Sequence, residues 1–589
     1  MILQALVDYY EALAAQGRVA KPGWGIAKIS YALNLDKQGR LLNLISLKLT
    51  KPKGKKSVEV PQSILLPEAT KRTAGVAAQF LWDNAKYVLG LDASRKAERS
   101  KQCFEAMAQK CQEILAAAVG EKATALKAFF ASWQPEAAHD NALLQPYMED
   151  LLSSANLMFK VEGESVEQDE EIRKAWDAYK SQQASDTAQG ICLVTGKKAP
   201  VARLHPNIKG LYGAQSSGAA LVAFNALAYE SYEHKQGDNA PVSEYAAFAY
   251  TTALNTLLAS ERNYLRIGEM TVVFWAEGAD EDNEDVFDDI FSSENKIIED
   301  ADLQGFFEKV SRGQSFSVKD YLVKPENKFY ILGLSPNAAR IAVRFFLVDT
   351  FGDFIKNYEQ YFREFEIIKP SFDNRVNVPL WQILQETANK NSKDKAASPL
   401  LAGAVLRSIL SGIKYPETLY QNTILRAKAD QDNPDKNITK ISRIKAAIIK
   451  ACLLRNYKNN EEVVTVALNE ECKKVPYVLG RLFAVLEDLQ EKANPGINST
   501  IKDRYFNSAC ATPSVTFPLL TKLANTHLKK ISAQKGTVIY FEKLIGELMN
   551  KLEVENNAMP ARLSLPEQGE FVLGYYHQVQ KRFEKKEEK

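Results

Sequence analysis

Two segments concentrate side chains that could engage a polyanion. Residues 48–72 carry Lys48, Lys51, Lys53, Lys55, Lys56, Lys71 and Arg72 against only Glu59 and Glu68. Lysines on an exposed loop neutralise phosphates without precise geometry, which is what sequence-independent backbone binding needs. The same composition also makes a solubilising surface loop. The second segment, TGKKAPVARLHPNIKGLYGAQSSGAALVAFNA (195–226), places Lys197, Lys198, Arg203, His205, Asn207 and Lys209 ahead of GAQSSG. Gly213 and Gly218 permit close backbone approach, and Gln215, Ser216 and Ser217 offer donors and acceptors ahead of an expected apolar helix. Such a loop can touch a phosphate or a base edge. A capped helix after a tight turn fits the same residues.

Catalytic constellations are sparse. The five histidines, His139, His205, His234, His527 and His577, form no HExxH or HxH pair. His139-Asp140 is an HD dipeptide, but His139 is the first histidine of the chain, so the upstream ligand of an H…HD…D metal site is missing. No GxSxG and no Walker A spacing occurs, and no cysteine sits in a nucleophile context. The acidic run EGADEDNEDVFDDIF (277–291) reads as a solvated loop rather than a Mg²⁺ site. The expectation is a chain with no catalytic residue, no metal and no cofactor. Tyr229, Tyr232, Tyr245, Phe248 and Tyr250 have the spacing of a base-stacking surface. Spacings of three to five favour the core of packed helices instead.

These segments must be held by a large scaffold. The chain has 589 residues, so two to four domains are expected. Its formal net charge is +2, so a nucleic-acid surface must be a local patch. Six scattered cysteines with no CxxC, and no signal-like or membrane-spanning segment, predict a cytoplasmic protein with free thiols. Leu3, Leu6, Val7, Tyr10, Leu13 and Ala14 predict a helix over 2–16. Alternation around the turn LDKQGR predicts a hairpin at about 24–49, followed by an exposed loop at KPKGKKSVEVP. Residues 74–90 and 94–131 read as helical, and 160–190 as a surface helix or linker. TVVFWA, KFYILGLS and ARIAVRFFLV read as strands, and from about 381 the helical period dominates. The fold class is α+β: a mixed region over 1–380 with antiparallel strands and a possible sub-boundary near 160–190, then a helical bundle over 381–589.

Longer strings carry a resemblance. PGWGIAKISYAL (22–33), AGVAAQFLWDNAKYVLGLD (74–92), CLVTGKKAPVARLHPNIKGLYGAQSSGAALVAFNALAYESY (192–232) and NAPVSEYAAFAYTTALNTLL (239–258) resemble the large subunit of type I-C CRISPR surveillance complexes (Cascade). So do RIGEMTVVFWAE (266–277), FYILGLSPNAARIAVRFF (329–346), STIKDRYFNSACATP (499–513) and QGEFVLGYYHQVQ (568–580). The resemblance implies a non-catalytic, DNA-binding subunit. It would read the protospacer-adjacent motif (PAM) in double-stranded DNA, help open the duplex and stabilise the R-loop. It would also present a docking surface for a helicase-nuclease, while guide pairing supplies the long-range specificity. The partners it implies are the guide RNA with its backbone and RNA-end-binding subunits, the small subunits and the target DNA. About 465–589 resembles the small subunit itself. Within that expectation, Asn207, Lys209, Gln215, Ser216 and Ser217 are the PAM-reading candidates, and Lys51, Lys53, Lys55, Lys56, Lys71 and Arg72 the phosphate-binding ones. A metal-dependent nuclease of a defence system is the competing reading.

Overall fold

The computed structural model describes residues 1–53, 56–69, 75–93, 97–153, 155–185, 189–291, 303–371, 373, 378–391, 399–436, 438–458, 463–552 and 558–583. The chain packs as two compact units, one of residues 1–208 and 222–256, the other of 209–221 and 257–589. The fold is α+β, with small, mainly antiparallel sheets in the N-terminal half and a helical region after them. Residue 380 falls inside the second unit, and no strand follows Thr350 among the described residues.

The first unit opens with α1 (Ile2–Ala15), whose buried stripe of Leu6, Val7, Tyr10 and Leu13 follows the helical period. β1 (Trp24–Ile29) pairs with β6 (Gln62–Pro67) rather than with its neighbour β2 (Tyr31–Leu35). β2 and β3 (Leu41–Ser46) form the expected hairpin, whose turn is closed by the Asp36 carboxylate accepting from the backbone N–H groups of Gln38 and Arg40. KPKGKKSVEVP is not an open loop: β4 (Leu49–Lys53) and β5 (Lys56–Val60) pair antiparallel. Backbone pairing satisfies the polar main chain even where side-chain composition reads as loop. β2 also pairs in parallel with β8 (Asn156–Val161), which carries β7 (Trp82–Asn84) on its other side and β9 (Glu164–Ser165) as an extension. Between them run α2 (Ala85–Val88), α3 (Ala97–Ile114), α4 (Glu121–Ser132) and α5 (Met148–Leu152). The helix expected over 74–90 is thus only one turn. Its extended start is fixed by the Gln79 N–H donating to Asp83 and by Trp82 Nε1 donating to the Pro67 carbonyl. α6 (Glu170–Ser185) places Trp176 in the core against Phe80, with ring centroids 5.2 Å apart. The hairpin β10 (Gln189–Ile191) and β11 (Lys198–Pro200) precedes α7 (Glu244–Ala259), which crosses the unit boundary.

The second unit is built on a four-stranded antiparallel sheet in the order β12 (Tyr264–Ile267), β13 (Met270–Ala276), β16 (Lys328–Asn337) and β17 (Arg340–Thr350). Every residue of β13 is buried, which explains a sequence that is apolar except at Thr271. One face of the sheet sends Val272, Phe274, Phe329 and Ile331 into the core of the helices. On the other, Trp275 stacks on Tyr330 with centroids 5.3 Å apart.

The acidic run is not a solvated loop. Residues Glu281–Phe291 form α8, with Val286 and Phe287 in the core. Glu284 accepts from the Ala276 N–H at 3.0 Å and from Asn263 at 2.7 Å, and Lys324 bonds Asp280. Acidic residues in a first helical turn also complement the helix dipole. α9 (Leu303–Ser311) and the hairpin β14 (Phe316–Val318) and β15 (Tyr321–Val323) flank it.

The remaining helices are α10 (Phe351–Phe365), α11 (Leu380–Thr387), α12 (Pro399–Ser411), α13 (Glu417–Ala429), α14 (Arg443–Tyr457), α15 (Val475–Ala493), α16 (Ile501–Ala511), α17 (Pro513–Lys530), α18 (Lys535–Lys551) and α19 (Leu565–Lys581). The α15–α19 crossing is glycine-dependent: a Cβ on Gly480 would collide with the Phe571 carbonyl, and one on Gly574 with that of Tyr477.

Candidate nucleic-acid interface

The surface segment 209–221 of the second unit is built from two consecutive turns. In the first, the Ala214 N–H donates to the Leu211 carbonyl at 3.2 Å, with Tyr212 and Gly213 at the corners. Gly213 has φ +78°, and a Cβ there would lie 3.2 Å from Pro336, so both the turn and the packing favour glycine. In the second, the Gly218 N–H donates to the Gln215 carbonyl at 2.9 Å, leaving Ser216 and Ser217 at the corners. No helix follows. Ala220 adds to the edge of the sheet instead: its N–H donates to the Ala339 carbonyl at 2.9 Å, and its carbonyl accepts from Ile341 at 3.0 Å. The expectation of a helix N-terminus at this loop is therefore corrected. An edge strand presents unpaired backbone groups, and Ala220 pairs with those of β17.

The result is a polar tip braced on a rigid sheet. Gln215, Ser216, Ser217 and Lys209 are exposed. Beside them the Arg266 guanidinium of β12 lies over the half-exposed Tyr212 ring, and Arg340 sits opposite Ala220 in the bridge. An arginine stacked on an aromatic ring is pre-organised for phosphate or base contact. Sequence reading missed Tyr212, Arg266 and Arg340 as parts of this surface. Arg266 and Arg340 lie on strands remote in the chain, and only the exposed alternation of Tyr264 and Arg266 along β12 hinted at a solvent-facing row.

The other candidates fall elsewhere. Asn207, also exposed, belongs to the first unit, where its carbonyl accepts from Asn255 at 3.5 Å. His205 is no surface cation: it is buried, with Nδ1 2.7 Å from the Tyr250 hydroxyl, itself pushed above its ordinary range by burial. Arg203 is exposed and donates to Gln236 at 2.6 Å. Cys192 is buried too; burial alone would raise its thiol, but hydrogen bonds from Ser243 and Thr195 outweigh that and bring it down to about 7. Lys51, Lys53 and Lys56 lie on the β4–β5 hairpin, Lys53 opposite Lys56 in the register and Lys51 opposite Val58. Lys55, Lys71 and Arg72 lie outside the described residues. Lys48, the first lysine of the basic stretch, pairs with Asp150 and sits over the Tyr31 ring at 5.2 Å. Of the aromatic residues assigned to the core, Tyr250 is fully buried and Phe248 packs edge-on against Tyr10 at 5.7 Å. Tyr229, Tyr232 and Tyr245 are exposed, Tyr232 almost completely at 96%.

Among the described residues, no group of three or more His, Cys, Asp or Glu side chains is placed to hold a metal ion, and none of the helices is long and apolar enough to cross a membrane. His139 and Asp140 lie on a short 3₁₀ turn, Pro135–Asp140. No curated protein matches the chain. The family model for CRISPR-associated protein (Cas_Csd1) matches residues 6–583. Because that match spans both units and nearly every element described above, the chain belongs to the Csd1 family of CRISPR-associated proteins.

Proposed function

We propose that this protein is the non-catalytic large subunit of a type I-C Cascade, working in the cytoplasm, and that the turn Gln215–Ser217 reads the PAM. The observation that carries the reading is an exposed amide-and-hydroxyl tip, fixed to a sheet edge beside the Arg266–Tyr212 stack, in a chain of this family. A glutamine side chain donates and accepts together, the pairing that recognises an adenine edge, while hydroxyls adapt to either partner. In this reading Lys209 backs the tip electrostatically, and Asn207 is a further DNA-contact candidate. The β4–β5 lysines hold duplex phosphates, and duplex opening and R-loop support follow once guide pairing starts. The partners would be the guide ribonucleoprotein with its backbone and RNA-end-binding subunits, the small subunits and a recruited helicase-nuclease.

The test is a binding series with the assembled complex on targets that differ only in the PAM, together with incubation of the isolated protein with labelled DNA and Mg²⁺ or Mn²⁺. Discrimination among PAMs without cleavage is expected. Cleavage by the isolated chain would overturn the non-catalytic assignment, and equal binding to all PAMs would overturn the reading role.

A further inference from the structure

Of the aromatic residues whose spacing suggests base stacking, Tyr232 is pushed furthest into solvent, at 96% exposed. It sits at the tip of a turn in the first unit, in which the His234 N–H donates to the Ser231 carbonyl at 2.9 Å. Both corner residues have positive φ, +53° at Tyr232 and +64° at Glu233. That is the φ signature of a type I′ turn, whose corners Asn and Gly occupy at little cost. A tyrosine followed by a glutamate is strained there.

The surrounding loop holds the strain in place. Asn239 Oδ1 accepts from the Ser231 N–H at 2.8 Å, and its Nδ2 donates to the carbonyls of His234 and Gln236 at 3.0 Å each. Arg203 donates to the Gln236 side chain at 2.6 Å, and the Gly237 N–H to the Arg203 carbonyl at 3.2 Å. A Cβ on Gly237 would lie 2.1 Å from the Ala202 carbonyl oxygen, so the loop is seated tightly on residues 202–203. All of this presents a ring that packs on nothing: its contribution lies outside the chain. A stable protein interface takes about 800 Å² from each partner, and one ring on a turn tip supplies far less. Nor is the loop a grip for phosphate, because Glu230, Glu233 and Asp238 offset Arg203, His234 and Lys235. A nucleobase is the partner that one flat aromatic face holds without help from charge. Such a ring meets a base face only where stacking within the duplex has been broken.

We propose that Tyr232 stacks on one unpaired base of the target DNA where the duplex opens. The assignment deepens the DNA-binding reading above and rests on it, but it does not depend on the turn at Gln215.

The test uses the assembled complex and target duplexes in which positions beside the PAM are made abasic one at a time. Tyr232→Gly removes the ring and relieves the backbone. Affinity for the unaltered target should fall about tenfold, while the melting temperature of the full chain rises. Tyr232→Phe should bind like the unaltered protein. Tyr232→Leu, apolar but without an aromatic face, should lose as much as Tyr232→Gly. At one abasic position the unaltered complex should lose its tenfold advantage over Tyr232→Gly, because the stacked base is already gone. An advantage that persists at every abasic position overturns the proposal, as does a Tyr232→Phe complex as weak as Tyr232→Gly. A melting temperature lowered by Tyr232→Gly would show that the ring packs within the protein. Loss of a subunit from that complex, read by mass photometry, would assign the ring to a protein contact; either result overturns the stacking role. The two readings fail separately. Equal binding to all PAMs with the abasic coupling intact faults the Gln215 reading alone, and PAM discrimination without the coupling faults this one alone.

Discussion

The second unit concentrates charge in two contrasting places. In the helical core, Arg455 Nε donates to both Glu364 carboxylate oxygens, at 3.0 and 2.8 Å, and Nη1 donates to the Ser408 carbonyl at 2.7 Å, while Tyr415 donates to the same carboxylate at 2.8 Å. Arg443 with Asp373, and Lys445 with Asp430, repeat the pattern, all with side chains 7% exposed or less. On the segment 209–221 and the sheet beside it, Lys209 and Arg266 are exposed, and the acceptors and donors of Gln215 and Ser216 face water. The buried charges are paired within the protein and hold helices in register. The exposed groups stand where a ligand can reach them. Near-neutral net charge therefore says little about function here; the division between internally paired and accessible charge says more.

That contrast is broken most severely by removing one buried partner. Glu364→Ala strands a buried guanidinium and should cost about 3–5 kcal/mol in urea denaturation, whereas Gln215→Ala should leave stability within about 0.5 kcal/mol.

Titration sharpens it next. On α19, burial, reinforced by the nearby Glu567, pushes the Glu570 carboxyl up to about 7, and burial, with Lys450 and Arg481 adding to it, holds His577 down at about 3. Folded Glu570 holds its proton more tightly than the unfolded chain does. Its contribution is thus full below about 4.5 and is lost as pH rises through about 7. His577 has the opposite sign: its contribution is present above about 6.5 and falls as the solution is acidified. Glu570→Gln should therefore unmask the histidine, so that the stability difference from the unaltered protein changes by roughly 1.4 kcal/mol per pH unit between about 4.5 and 7. A difference independent of pH would show that Glu570 ionises normally.

Changes aimed at DNA binding give the smaller effects. Replacing Lys53 and Lys56, which face each other across the β4–β5 register, with alanine should weaken binding to every DNA target alike. It should also lower the slope of log affinity against log salt by about two, read from titrations at several salt concentrations.

Much of this organisation was legible in the residues. β13, β16 and β17 announced themselves as long apolar runs, α1 by its period, and the α14, α15 and α18 segments by i, i+3, i+4 repetition. What failed, failed where tertiary contacts override local composition. The acidic run became α8 because Glu284 has partners on β13 and in Asn263, neither visible in a local window. KPKGKKSVEVP became a hairpin through backbone pairing that its lysines conceal. The alanine-rich stretch after GAQSSG was drawn out of a helix by the open edge of β17, about 120 positions further along the chain. The candidate turn itself was readable from its Gly, Gln and Ser residues; the Arg266–Tyr212 stack beside it was not, because only the sheet brings those residues together.

The central claim is that accessible polar groups at the second turn, and not the charge of the protein as a whole, choose the DNA. The most direct test compares the assembled complex with its Gln215→Ala counterpart across a panel of targets identical except in the PAM. The account predicts that the ratio of affinities between preferred and disfavoured PAMs shrinks about tenfold while binding to disfavoured targets is unchanged. A uniform loss across the whole panel, with the ratio intact, would contradict it.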